Sequence, residues 1–526
     1  MYDMHWTILL SIVIGTLGIY YFFSKRFHYF KRHNVIHVLP FSIFGDLWPI
    51  IFRQISFAAY IQKLYTSKPD AKYFGAYAMM KPIIFLRDPE IMKEVLIKNF
   101  DAFPNREGFG LINDPLFSKN LFSLQGQKWR DVRTLLSPAF TSSKMRTMFI
   151  LMSECAVEFV KSLSKISADK GDMDMKDAFT RYTNDVIATC AFGIKVDSMS
   201  DPTNKFYVNG KDASSFQGLR SLKLIMFATF PRLMQALGWK FLKKDVREFF
   251  QDIVKDTIDT RDAKNITRPD MIQLMMDVRG KREAERELTI EEITAQAFIF
   301  FLGGFETSST AMCFTAQEIA ANPDVQAKLR QEIDKALEDS NGEATYEVIN
   351  RLGYLDAVIN ESLRLHPPLV SSERQCERDY ELPPALPSEK PFILKKGMSV
   401  WIPHYALQRD EKYFDDPDKF RPERFLDDNA YHNSPCYAPF GLGPRMCIAS
   451  RFAILEIKVL LFHLLARCEL KPGAKAILPI KLSKSAFMMA PEGGFWLRVK
   501  RRNDVHFTIG STTTLDNNVD NFGKMF

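Results

Sequence analysis

The chain opens with eighteen uncharged, strongly apolar positions, Trp6 to Phe23. Asp3 lies before them, and Lys25, Arg26, Lys31 and Arg32 lie after them. At about 1.5 Å per residue, a helix of that length spans roughly 27 Å, close to the hydrocarbon thickness of a bilayer. The pattern predicts a membrane anchor over residues 1–24, and positive charge on its C-terminal side leaves the rest of the chain in the cytosol. A cleaved secretory leader would put its positive charges before the apolar run, so that reading is set aside. Residues 25–60 read as an amphipathic linker. A β-rich stretch follows from Tyr73 to Leu86. Asp88, Pro89 and Glu90 then carry a helix-start signal. Apolar positions recur at three- and four-residue intervals over 127–137, 144–168, 173–195, 240–263, 267–279, 288–321, 323–339 and 354–366, which predicts helices. Proline and glycine break 372–405 into short extended runs such as Met398 to Pro403. Helix returns at 448–467, and alternation over 486–499 predicts closing strands. The polar, aperiodic tail 503–526 is expected to be disordered.

This pattern predicts a mainly α protein with a small β region and an N-terminal transmembrane helix. No Gly/Ser-rich or Pro-rich linker divides residues 60–500, so 61–502 is expected to form one domain despite the length of 526 residues. Composition adds that the interior is large and aromatic: 46% of residues are hydrophobic and 44 are phenylalanine. The net charge is 70 − 63 = +7, which suits an anionic membrane surface or an acidic partner. Nucleic acid is not expected as a partner, because no basic block is interleaved with stacking aromatics and no zinc-finger spacing occurs. Seven cysteines at irregular spacing, without C-x-x-C, indicate a reducing compartment and free thiols. Hydrolase signatures are absent: there is no G-x-S-x-G and no H-E-x-x-H.

Three constellations carry chemistry. The first is Phe440-Gly441-Leu442-Gly443-Pro444-Arg445-Met446-Cys447, which runs into an apolar helix near Ile448. An aromatic, two glycines, a proline and an arginine describe a tight loop that brings backbone close to a flat group. The cysteine is expected at a helix start, where N–H groups and the dipole favour a thiolate. We read the flat group as haem, with Cys447 as the iron's proximal ligand. Thiolate ligation favours O–O cleavage. The second lies in the long helix over 288–321, whose middle reads Ile299-Phe-Phe-Leu302-Gly303-Gly304-Phe305-Glu306-Thr307. Ile299, Gly303 and Thr307 are four apart and share a face, with Leu302 nearby. A hydroxyl there can donate a hydrogen bond to dioxygen, with Glu306 feeding protons from solvent. The bland alternative is that Glu306 is a solvated residue and Thr307 bonds back to a carbonyl. The third is Glu361-Ser362-Leu363-Arg364 in an apolar helix that ends before Pro367, with Arg424 as a candidate third member; alone, such a pair is common.

Taken together and in this order, the three resemble the cytochrome P-450 superfamily of haem-thiolate monooxygenases, over the chain from the anchor to about residue 500. The segments Arg374 to Tyr380 and Tyr413 to Phe425 look most like microsomal, detoxification-type insect members. The resemblance implies that Cys447 is the axial thiolate, with Phe440 beside the sulfur and Gly441 in the cofactor loop. It implies that Arg445, Trp129, Arg133 and Arg374 hold haem propionates. It makes Glu306 and Thr307 the catalytic oxygen-activation pair, and Glu361, Arg364 and Arg424 a buried structural triad. Ile299, Leu302 and Gly303 are expected to line the substrate pocket; Phe487, Phe109, Phe117 and Met488 lie in segments that resemble variable recognition loops. The segment 219–242 is expected to dip into the membrane. The implied cofactors are haem b and O2, with NADPH-derived electrons delivered by a flavoprotein reductase that docks near Lys128 and Arg130, and with cytochrome b5 as a possible second donor. The implied substrate is a lipophilic small molecule, and the implied location is the endoplasmic reticulum membrane, catalytic domain to the cytosol. Sequons at Asn265 and Asn360 should then stay unmodified. Two departures stand out. Ala449 replaces a usual glycine, and Gln408 stands where relatives often carry histidine. A haem-thiolate isomerase or dehydratase, and a haem sensor without turnover, are the competing readings.

Overall fold

The computed structural model describes residues 6, 10–11, 13–18, 21, 27–39, 45–107, 112, 114–216, 219–279, 288–426, 431–486 and 488–503. Helices dominate, and short strands gather into small sheets, as the pattern predicts. The Tyr73–Leu86 stretch is a hairpin: β1 (Tyr73–Ala78) pairs antiparallel with β2 (Lys81–Leu86), Tyr73 opposite Leu86 and Ala78 opposite Lys81. Two later strands complete this sheet, β3 (Ser372–Gln375) and β4 (Ser399–Ile402), in the order β1-β2-β4-β3. The punctuated region 372–405 thus folds back onto the hairpin far upstream. Asp172–Asp174, Trp496–Arg501 and Cys468–Pro472 form a second sheet. The alternation expected over 486–499 becomes strand only from Trp496; before it the described residues hold an isolated bridge, Leu482 to Pro491.

The helices that build the site are α1 (Gly126–Leu136), α2 (Ser142–Lys170), α3 (Met175–Ile187), α4 (Ile290–Gly303), α5 (Ser309–Ala321), α6 (Gly353–Leu365) and α7 (Ser450–Arg467). Helix α4 starts with a capping box: Thr289 accepts from the Glu292 amide while Glu292 reaches back to Thr289. The single long helix expected over 288–321 is interrupted. Gly304–Ser308 forms a π turn between α4 and α5. Ile290–Ala321 is apolar and long enough to cross a membrane, but 72% of its most apolar window is buried inside the protein. It is a core helix, wrapped by α3, α6 and α7.

Of the apolar N-terminal run, residues 6, 10–11, 13–18 and 21 are helical, with Trp6, Leu10, Ile14, Leu17 and Tyr21 all exposed. The expected tail falls outside the described residues from 504 onward.

Candidate functional site

The cysteine loop is closed by its own backbone. Cys447 N–H donates to the Phe440 carbonyl at 2.9 Å, and Met446 N–H to the Gly443 carbonyl at 2.9 Å. Gly441 and Gly443 sit at φ of +78° and +70°, a region costly for any residue with a Cβ. At Gly443 a Cβ would strike the Leu96 carbonyl, so this glycine also permits a close backbone approach. Cys447 is the exposed cysteine of the seven. Protein nonetheless surrounds its sulfur on most sides, and this enclosure dominates its electrostatics. Burial pushes its thiol up, opposed by the Ala449 N–H, Arg133 and Arg106. The helix proper begins at Ser450, so the dipole contribution expected at Cys447 is outweighed. Ala449 has φ of −101°, ordinary for alanine, so its extra methyl brings no backbone strain.

Four arginines converge beside this cysteine. Arg445 is buried; its guanidinium donates to the carbonyls of Pro104 (2.7 Å), Leu124 (2.7 Å) and Leu121 (3.5 Å), and lies 4.1 Å over the Trp129 ring. Much of its donor capacity is thus spent on backbone. Arg133 donates to the Met446 carbonyl at 3.0 Å. Arg374, on β3, is 1% exposed and its Nε has no partner. Arg106 is the residue that sequence reading missed. It donates to the Arg445 carbonyl at 3.0 Å, and its Nε is also unpartnered. No local pattern marks it. Neighbouring Asn105 ties the segment to β3 and to the start of α1, and that tertiary link delivers Arg106.

Burial and mutual repulsion lower the arginine pKa values; Arg445 falls to about 9 and Arg374 lies well below its usual range. His404, also missed, is held at about 3 by burial and by Arg374 and Arg106, so it stays neutral beside Ser372. Glu373 is the carboxylate that offsets this group. Buried cations with unpartnered donors call for an anion. The carboxylates of a porphyrin set against Cys447 meet that need, so these residues fit haem.

Helix α4 shows the face that was expected. Along a stretch where most neighbours are buried, Ile299 is half-buried, Gly303 exposed and Thr307 half-buried. Gly303 faces open space, whereas a Cβ on Gly304 would meet Ile187 of α3 at 2.5 Å. The two glycines therefore do different jobs. Leu302 is not on the accessible stripe; it is 6% exposed and belongs to the core, because the helical period turns it away. Thr307 Oγ1 donates to the Gly303 carbonyl at 2.5 Å, as the bland alternative held. Glu306 is not a free solvated acid. Its Oε1 pairs with Lys176 of α3 at 3.0 Å, and the same ammonium donates to Ser309 and Thr310, each at 2.8 Å. Phe117 is fully buried between Phe241 and Phe298 in edge-on contacts. Met488 is half-buried; Phe487 and Phe109 lie outside the described residues. Lys128 and Arg130 are exposed, and Arg130 pairs with Asp101 at 2.6 Å.

The third constellation closes as expected. Glu361 takes a forked pair from Arg364 at 2.7 and 2.8 Å and a third contact from Arg424 at 3.2 Å, all with fully buried side chains. Arg364 also donates to the carbonyls of Gln408, Pro417 and Lys419.

A family model described as Cytochrome P450 matches residues 43–498. Cytochrome P450 9e2 of Blattella germanica is 41% identical over 529 aligned positions, which cover 95% of this chain and 98% of that protein. The probable cytochrome P450 9f2 of Drosophila melanogaster is 38% identical, covering 95% of this chain and all of its own length. Cytochrome P450 6k1 of Blattella germanica is 32% identical, covering 92% and 95%. With a cysteine loop, an arginine cluster and a glycine-broken core helix in the expected order, the chain belongs to the cytochrome P450 family, the haem-dependent monooxygenases that use O2 and NADPH-derived electrons from a reductase on small-molecule substrates.

Proposed function

We propose that residues 61–502 oxygenate lipophilic small molecules, with Cys447 as the haem ligand and with Arg106, Arg133, Arg374, Arg445 and Trp129 holding its carboxylate edge. The observation that carries this reading is the arginine cluster around Cys447, with unpartnered Nε groups on Arg106 and Arg374. When bound there, haem supplies the iron at which O2 is activated. The chain's own residues do the rest. Ile299, Gly303 and Thr307 present a narrow accessible face to the substrate. The absence of a side chain at Gly303 leaves that face open. Thr307 holds its proton on the Gly303 carbonyl and can redirect it by rotating about one bond. Glu306, restrained by Lys176, supplies the acid beside it. Phe440 and Gly441 shape the loop under the thiolate.

The N-terminal run anchors the protein in the endoplasmic reticulum membrane with the catalytic domain in the cytosol, and cytochrome b5 acts as a second electron donor. Exposed apolar residues support a membrane contact at a second place: Phe230, Leu233, Leu237 and Trp239 stand out in the 219–242 segment. The isomerase, dehydratase and sensor readings are not favoured, because the Glu306–Thr307 pair is present and the family match is to monooxygenases. A carbon monoxide difference spectrum of the reduced protein tests the ligand. A red-shifted Soret band that Cys447→Ala abolishes is expected, and a band that survives the substitution overturns the assignment. NADPH- and reductase-dependent turnover of a lipophilic panel tests the reaction.

A further inference from the structure

Helix α7 carries an acid on its buried face that neither the site nor the triad uses. Glu456 is fully buried, and neither carboxyl oxygen has a hydrogen-bond partner. The groups that face it are Cys155 from α2, Tyr182 from α3, Cys190 from a π turn at Ala188–Phe192, and Ser308 from the π turn at Gly304–Ser308. No cation pairs with it among the described residues. The Tyr182 hydroxyl turns instead to the Glu456 backbone carbonyl, at 3.5 Å. Helix α7 packs directly on the Gly304–Ser308 turn. The Ser308 side chain is the neighbour that favours the charged carboxylate, but it stands outside hydrogen-bond geometry in this structure. An unpaired polar group in such a place needs an account.

We propose that Glu456 is a positioning residue for the turn that carries Glu306 and Thr307, acting through Ser308. An isolated buried carboxylate is far costlier than the neutral acid, and burial pushes Glu456 up to about 8. The neutral acid offers an O–H that Ser308 can accept through a small rotation. Losing that proton to solvent sets a buried charge beneath the turn that the Ser308 hydroxyl alone favours, with no cation among the described residues to offset it. Because a π turn already lacks regular helical bonding, this charge loosens it first.

The proposal rests on reading Gly304–Ser308 as the proton-delivery turn, and its test does not use turnover, so the two can fail separately. Amide exchange of residues 304–308 is followed in the haem-loaded full chain from about pH 6 to about pH 9, corrected for intrinsic rates. The wild-type turn is expected to lose protection severalfold as pH rises, and Glu456→Gln to show no such loss. An infrared carbonyl stretch of a protonated acid is expected in the wild type at the low end, fading at the high end and absent from Glu456→Gln. Equal pH dependence in both proteins, or no such band at low pH, overturns the proposal. Should Glu456→Gln not fold, Ser308→Ala decides: a displaced stretch and lower turn protection support it, and an unchanged stretch overturns it.

Discussion

Glu306 and Thr307 are neighbours in sequence, yet their side chains are held by different parts of the fold. Thr307 bonds within its own helix, to the Gly303 carbonyl, on the accessible stripe. Glu306 is held across the interface by Lys176. Under the proposed proton-delivery role, Thr307→Ala is expected to lower product formed per NADPH consumed by about a hundredfold, the lower end of the range for a lost general acid. Simultaneous assay of product and peroxide checks this. Glu456 leads to a second expectation at this scale, one that concerns stability. Its folded pKa of about 8 lies above the ordinary carboxylate value of 4.5. The unfolded state thus loses its proton first as pH rises, and stability falls from the ordinary value up to about 8. Thermal unfolding should show Glu456→Gln gaining on the wild type from about pH 5 to about pH 8. A constant difference across that window would refute it.

At the level of elements, the core helix is organised by what its two glycines meet. Gly304 lets α3 and the π turn touch, so Gly304→Ala pushes against Ile187 and is expected to cost about 1–3 kcal/mol. Ile187→Val should recover part of that loss in a double-mutant cycle read by thermal unfolding. Gly303→Ala meets open space and gains up to about 1 kcal/mol of helix propensity; its effect should appear in substrate choice instead of stability. Helix α6 is pinned by Arg364, whose donors are shared among Glu361 and three carbonyls. Arg364→Ala removes the forked partner of Glu361, leaving it to Arg424, and unpairs three carbonyls; it is expected to cost about 3–5 kcal/mol, seen as loss of folded, haem-loaded protein. Gln408 matters more than its sequence signal indicated. Its amide donates to the Leu363 and Arg364 carbonyls while its oxygen accepts from Ala438 N–H, just ahead of the cysteine loop. It ties the end of α6 to that loop with a group that carries no charge at any pH.

At the scale of the whole molecule, exposed apolar residues cluster on the N-terminal helical residues and on the Phe230–Trp239 patch, while others among the described residues, such as Leu39 and Phe52, are exposed elsewhere. Removing residues 2–24 is expected to release much of the protein from membranes, and polar substitution at Leu233, Leu237 and Trp239 in that background to release more; alkaline extraction and sedimentation check both. Asn360 bonds to the Asp356 carbonyl and receives the Tyr437 hydroxyl at 2.7 Å. A glycan there would break these contacts, so mass spectrometry should find the sequon bare.

Much of this protein was legible in the chain itself. Helical periodicity marked α1, α2, α6 and α7 to within about two residues, though it carried α3 past its end and ran α4 and α5 together; the hairpin Tyr73–Leu86 showed through its β-rich composition, because both signals are local. The cysteine loop, the Ile299–Gly303–Thr307 face and the Glu361–Arg364 pair were legible for the same reason: each lies within one turn, one helix or one short loop. Tertiary structure decided the remainder. Arg106 reaches the cluster through Asn105, Lys176 captures Glu306 from another helix, and Glu456 lies under a turn nearly 150 residues upstream. Leu302 enters the core because packing, not hydropathy, selects which apolar residues line a pocket. Periodicity and motif spacing record what a residue does within its own element. What a charge meets across an interface depends on how distant segments come together, and no local pattern encodes that.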